Sequence, residues 1–262
     1  MGLIPKPETL PPLIIGVKTG LYRKDDKAGG NADKEFRDIK PEILQRDHNT
    51  CGYCGVQTQG DEKSPGGGLE VHHIDDNHRD NRGQNLISIC PLCHAIFHFG
   101  HAARVYKTLK IGYLPWISQE NLNILTWTLA IASHRRKVIG AKTDLSEEER
   151  AAVEISTKAD ELFWAIKTEA ILPAKHFTSE DTDGSEITRL LTDDPSALAT
   201  ALAGIAIEQP HLYQQRAKVI GNLRVIFQPD RIGELIPRFS DMPLWFPGKS
   251  WASTWKAIAN AS

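Results

Sequence analysis

The sequence predicts an α+β fold: a small unit of short strands and a helix, stapled by metal, followed by a mostly α-helical region. Three observations carry this reading. Two C-x-x-C pairs, Cys51/Cys54 and Cys90/Cys93, contain all four cysteines of the chain. Between them, "LEVHHI" and "LISI" read as short strands on either side of an Asn/Gly/Asp-rich loop. Downstream, apolar residues recur at helical spacing behind capping serines.

The elements follow in order. Residues 1–34 form an N-terminal extension rich in Pro, Gly and Lys, with "PLIIGV" as a short strand and "RKDDKAGGNADK" as a loop. The metal-stapled unit takes up residues 35–112. It opens on a helix, "KEFRDIKPEILQRDHNT", in which Phe36, Ile39, Ile43 and Leu44 share a face despite Pro41. The turn-rich "QTQGDEKSPGGG" then leads to the two strands, and "PLCHAIFHFGHAARVYKTL" reads as one helix. Residues 113–262 are the helical region. Ser118 caps "QENLNILTWTLAIASHRR", and Ser146 with Glu149 forms a capping box. The helix behind that box carries Ile155, Ala159, Leu162, Phe163, Ile166 and Ala170 as one apolar stripe. Helical patterns recur at 185–207 and 210–227, and the Trp-rich end from Met242 reads as a last helix.

Composition bounds the function. With 262 residues, 40% of them hydrophobic, the chain can bury a real core. The start has no basic residues leading an apolar run, and the longest strongly apolar stretch, residues 197–207, is too short to span a bilayer. The expectation is a cytoplasmic protein whose clustered thiols bind metal rather than pair as disulfides. The net charge of −2 conceals an asymmetry. Residues 101–142 carry seven Lys/Arg against one acid, whereas 144–194 carry fourteen Asp/Glu against five Lys/Arg. A basic surface, with Arg104, Lys107 and Lys110 nearest the histidines, can grip phosphates.

The cysteine pairs are two knuckles facing one ion, with Gly55 relieving the first turn. Four thiolates make a closed tetrahedral site for a structural Zn²⁺. The 35 residues between Cys54 and Cys90 enclose the strands and carry the histidines. His72 and His73, adjacent on a strand, point to opposite faces and have different jobs. His94 and His98, four apart on the expected helix, share a face and can chelate one ion. A strand delivering His72 opposite them completes a three-imidazole site with open positions, and leaves His73 as a base. His78 and His101 are expected on the surface, off this constellation, and the remaining histidines show no partner pattern. The six tryptophans read as core and interface anchors.

"CGYCG" followed by "VHHIDD…NRGQNLISICPLCHAIFH" resembles the HNH endonucleases, the ββα-metal nucleases, in their four-cysteine form, over about residues 36–101. The resemblance implies a phosphodiester hydrolase acting on DNA. In that pattern His73 is the general base, Asn85 braces the loop and orients the base, and His72, His94 and His98 hold the catalytic divalent cation. His72 stands where many members have Asp. Imidazole ligation leans toward Zn²⁺, Ni²⁺ or Mn²⁺ over Mg²⁺, which prefers oxygen.

A second resemblance spans more of the chain. "ILQRDHNTCGYCG", "IGYLPWISQENLN" and the Trp-rich end are similar to the IcmJ/DotN proteins of type IVB secretion and related conjugation systems. It implies a zinc-stabilised scaffold that joins coupling proteins at the inner membrane through the helical C-terminal region. Two classes of function follow: a DNA endonuclease or nickase, and a non-catalytic docking subunit.

Overall fold

The computed structural model describes residues 4–19, 30–60, 66–106, 109–140, 142–169 and 194–229. Helix α1 (Gly30–Arg46) runs through Pro41 and buries Ile43 and Leu44. Strands β1 (Glu70–His73) and β2 (Leu86–Ile89) pair antiparallel, His72 opposite Ile87 and His73 opposite Leu86. Helix α2 (Pro91–Phe97) follows directly, with Cys90 as its N-cap and Pro91 in its first turn, a position that needs no backbone donor. This is the ββα unit that the sequence predicts, with α1 packed across its back.

The expected single helix from Pro91 onward is two. Helix α2 stops at His98, whose φ of −108° and ψ of 43° break the helix, and α3 (Phe99–Val105) begins behind it. The cause lies far away in the chain. The "PLIIGV" segment, expected as a strand, pairs with no strand among the described residues. It runs extended across the break as a strap: Gly16 N–H donates to Ile96 O and Phe99 N–H donates to Gly16 O, both at 2.9 Å. Helix-end groups without intrahelical partners thus take the place of a sheet ladder. Leu13, Ile15 and Val17 of the strap are buried in the core.

Beyond α3, strand β3 (Lys110–Tyr113) precedes α4 (Gln119–Ile139) and α5 (Glu147–Glu169). The caps are as expected. Ser118 Oγ accepts from Asn121 N–H, while Ser146 and Glu149 exchange reciprocal bonds of 2.8 and 3.2 Å. Helix α4 is buried on two sides. Leu122, Leu125 and Leu129 meet Leu162, Phe163 and Ile166 of α5, while Trp127, Ala130 and Ile131 face the ββα unit. Buried Thr126 and Thr128 satisfy their hydroxyls on Leu122 O and Ile124 O. Ala170 of the expected stripe and the expected last helix lie outside the described residues.

Helix α6 (Pro195–Glu208) is capped by Asp194 and packs Leu198, Leu202 and Ile205 inward, with α3 as its neighbour. The helical pattern expected over 210–227 ends early. Short helices α7 (Pro210–Gln214) and α8 (Ala217–Ile220) give way to strand β4 (Leu223–Ile226), which pairs antiparallel with β3. A run of four buried residues suits a strand covered on both faces, and β3 supplies the ladder. The Gln119 side-chain amide holds β4 to α4, accepting from Val225 N–H at 2.8 Å and donating to Val225 O at 3.0 Å. One core cluster runs from the strap through the ββα unit to β4, and so joins residues of all three segments expected from the sequence.

Candidate metal centres and active site

The first cysteine knuckle is shaped by backbone geometry. Gly55 N–H donates to Cys51 O at 3.0 Å, and Gly55 adopts a φ of 75°, a conformation glycine takes without a side-chain clash. Gly52 is required for another reason: a Cβ there would lie 2.5 Å from Ile87 of β2. The second knuckle is the first turn of α2, where Cys93 N–H points at Cys90 Sγ. Ligand atoms of Cys51, Cys54, Cys90 and Cys93 lie within 4.8 Å of one another.

The chemistry of this donor set fits a soft dication. Burial and hydrogen bonding among the sulfurs raise the Cys54 and Cys93 thiols well above their ordinary value, whereas Cys51, despite burial, is held well below it by bonds from the other three. Four buried thiolates need a cation to balance their charge. Helix α4 supplies donors from outside the ring of sulfurs: Asn123 Nδ2 reaches Cys93 Sγ at 3.3 Å and Trp127 Nε1 reaches Cys90 Sγ at 3.4 Å. Such outer donors orient and stabilise sulfur ligands.

The second cluster is made of imidazoles. Strand β1 delivers His72, α2 delivers His94, and the helix break delivers His98; their ligand nitrogens lie within 4.8 Å of one another. The ring centroids of His72 are 5.2 Å from His94 and 5.6 Å from His98, and those of His94 and His98 are 4.5 Å apart. Burial, then the positive fields of His94 and His98, push His72 down to about 2. Burial and His94 push His98 down to about 4. Both rings are therefore neutral at pH 7, the state in which imidazole ligates. Nδ1 of His98 is buried with no hydrogen-bond partner among the described residues, which fits a nitrogen meant for a cation.

His73 points the other way from β1 and stacks on Phe36 of α1, centroids 4.9 Å apart. Its Nε2 lies 3.0 Å from Asn81 Oδ1, and Asn81 is fixed in turn by donating to Ala32 O at 2.8 Å. An amide oxygen accepts only, so Nε2 carries the proton and Nδ1 the lone pair. Asn85 closes the loop that brings Asn81 into place. Its Oδ1 accepts from Asp75 N–H at 3.2 Å and its Nδ2 donates to Asp75 Oδ1 and Asp80 O at 2.8 and 2.9 Å. A cavity of about 580 Å³ is lined by Lys18, His72, His73, His78, His94 and His98, among others.

Residues 51–99 match the family model described as HNH endonuclease. This segment is an HNH domain. Over 102 residues the chain is also 30% identical to the type 4 apparatus protein DotN of Legionella pneumophila, a stretch that covers 38% of this chain. The match takes in 44% of that relative, less than half of its length.

Other residues singled out in the sequence are placed less centrally. Arg104 and Lys110 are exposed and lie off the HNH cavity, and Lys107 falls outside the described residues. His78, expected on the surface, is half-buried: its ring centroid lies 5.3 Å from that of His73 and its Nε2 accepts from Lys18 Nζ at 3.1 Å. His101 is exposed, at the cavity wall. Three groups escaped sequence reasoning, Glu70 and Lys18 in the cavity wall and Asn81 behind His73. Glu70, which accepts a hydrogen bond from His94 Nδ1, had a signal, because it stands two residues before His72 and so on the same strand face. Asn81 had only its place in the loop, and Lys18, 54 residues before His72, had none. Among the described residues no helix is long and apolar enough to cross a membrane.

Proposed function

We propose that this chain is a metal-dependent HNH endonuclease or nickase that hydrolyses DNA phosphodiester bonds, associated with a conjugation or type IV secretion system. The observation that carries the reading is the convergence of His72, His94 and His98 beside a base, His73, that faces the same cavity from the opposite side of its strand. The four cysteines would hold a structural Zn²⁺. The three imidazoles would hold a Zn²⁺, Ni²⁺, Mn²⁺ or Mg²⁺ ion, which supplies Lewis-acid stabilisation of charge on the phosphate.

The protein's own residues do the rest. His73 accepts the proton of the attacking water at Nδ1 while Asn81 keeps Nε2 protonated and the ring fixed. Water oxygen bonds to phosphorus as the bond to the 3′ oxygen breaks, and that oxygen takes a proton from solvent, leaving 5′-phosphate and 3′-hydroxyl ends as in the family. Asn85 holds the loop that positions Asn81. Arg104 and Lys110, outside the cavity, grip backbone phosphates together with Lys107. The catalytic unit extends over 35–112, and the protein works in the cytoplasm or at the inner membrane within a complex.

Supercoiled plasmid, incubated with wild type and His73→Ala across Mg²⁺, Mn²⁺, Ni²⁺ and Zn²⁺, tests this. Wild type should open the circle with at least one ion. The variant should lose at least about 100-fold in rate with its zinc content unchanged. Unaltered nicking by His73→Ala removes the proposed base, and a wild type inert with every ion removes the enzyme.

The similarity to a type 4 apparatus protein supports a second reading, in which the zinc unit is a rigid scaffold and residues 113–262 dock secretion or conjugation coupling proteins. Coupling-protein capture that survives His73→Ala in a chain that never nicks DNA is its signature.

A further inference from the structure

The cavity contains a charge that neither cluster explains. Lys18 comes from the strap, outside the matched HNH segment, and its side chain is 2% exposed. Nζ donates to Asp76 Oδ1 at 2.6 Å and to His78 Nε2 at 3.1 Å, and Lys18 lines the same cavity as His72, His73, His94 and His98.

Burying an ammonium is costly, and the fold is arranged around this one. Asp76 adopts a φ of 59°, uncommon for a residue with a side chain, and also accepts from Thr19 N–H at 3.3 Å, so its carboxylate seats the end of the strap. From the other side the Tyr213 hydroxyl both accepts from Val17 N–H at 2.8 Å and donates to Val17 O at 2.9 Å, and Arg216 Nε donates to Ile15 O at 3.0 Å. The residue just before Lys18 is therefore gripped through both of its backbone polar groups. Asp76 balances the charge, so the pair adds little net field at the histidine cluster; what it fixes at the cavity wall is an ammonium donor. Such a donor makes sense where an anion joins the metal.

We propose that Lys18 is a phosphate-binding residue of the active site, its ammonium steadied by Asp76 and His78 to receive a non-bridging oxygen of the DNA backbone crossing the cavity. The assignment rests on the nuclease reading for its substrate class. It adds a residue that the HNH match does not contain, and it makes the strap and the α7 helix part of the site.

The test is fluorescence anisotropy of a short labelled DNA duplex over a salt series, with zinc in the cysteine site and no further divalent ion. Lys18→Met should weaken binding and reduce the slope of log K against log salt by about 0.9, the loss of one phosphate contact. Lys18→Arg should keep the slope. Asp76→Asn, which the left-handed backbone tolerates, releases the ammonium from its counter-charge and should tighten binding. A misfolded protein cannot give that opposite sign, and because loss of a carboxylate lessens repulsion of DNA by itself, the double variant Lys18→Gln/Asp76→Asn, which removes both charges, should still show the slope reduced by about 0.9.

An unchanged slope in Lys18→Met, weaker binding in Asp76→Asn, or no duplex binding by wild type overturns the assignment and leaves an ion pair that merely seats the strap. Plasmid nicking separates this from the function itself. A Lys18-dependent slope in a protein that never nicks keeps Lys18 as a phosphate contact and ends the nuclease reading; nicking with an unchanged slope does the reverse.

Discussion

Glu70 accepts a hydrogen bond from Nδ1 of His94, joining the first residue of β1 to the fourth of α2. The bond fixes the His94 tautomer and turns Nε2 away from the carboxylate. Burial raises the Glu70 carboxyl, but the bond from His94 and the fields of His94, Lys40 and His98 outweigh it and hold Glu70 below its ordinary value. Glu70 is thus ionised at neutral pH, which would make the His94 ring a better ligand in the proposed site. Glu70→Gln should lower the affinity of the histidine cluster for Zn²⁺ or Ni²⁺ by about 10- to 100-fold in competition with a chelating dye, while the cysteine site keeps its zinc. Equal affinity in the variant would assign the carboxylate to the surface alone.

A similar device acts on His73, with a neutral partner. Asn81 orients the ring without adding charge. Asn81→Asp would place a carboxylate against Nε2 and favour the protonated imidazole. Because the proposed base would work unprotonated, the acid limb of any nicking profile should move to higher pH, by roughly 1 to 3 units. A plateau rate lowered at every pH with no displacement of the limb would mean that Asn81 serves the loop and not the base.

What the sequence made legible was local. The C-x-x-C spacing announced the knuckles, period-two placement of His72 and His73 announced their opposite faces, and Ser118, Ser146 and Glu149 announced helix starts. Each is a relationship between residues a few positions apart. The parts that were missed depend on pairing over long separations. β3 meets β4 across more than a hundred residues, and the latter reads as helix until a partner strand is present. The break at His98 is made by Gly16, and Lys18 joins the histidines only because that strap crosses there.

The strap itself can be probed without touching the cavity. Tyr213→Phe keeps the ring and removes the hydroxyl that pairs with both polar groups of Val17, a residue 9% exposed. Two buried backbone groups then lose their partner, at a cost of about 1 to 3 kcal/mol each before water compensates. The melting temperature should fall, and amide exchange should speed up at Val17 and its neighbours while β1 and β2 keep their protection. Slowed nicking in the same variant would tie the helical region to the site; unaltered exchange at Val17 would show that Tyr213 does not hold the strap.

Acid stability offers a last test, on the imidazoles themselves. His72 sits at about 2 and His98 at about 4 in the folded chain, against 6.5 for an unperturbed histidine. Above pH 6.5 neither folded nor unfolded chain protonates them, and they add no pH dependence. Below it the unfolded chain takes up protons that the fold refuses, so stability must fall as pH falls, by up to about 1.4 kcal/mol per unit from each ring. Near pH 4 His98 begins to accept its proton in the fold and its share of the slope ends, while that of His72 continues. Carboxylates titrate in the same range, so the informative quantity is the difference between wild type and His72→Phe in urea unfolding from pH 7 to 4.5. The variant places an apolar ring beside Phe97, on which His72 already stacks with centroids 4.8 Å apart. It should lose about half of the histidine slope and gain on wild type as pH drops. Parallel curves for the two proteins would mean that His72 takes its proton inside the fold, and a ring so readily protonated would be a poor ligand at the pH where the metal must bind.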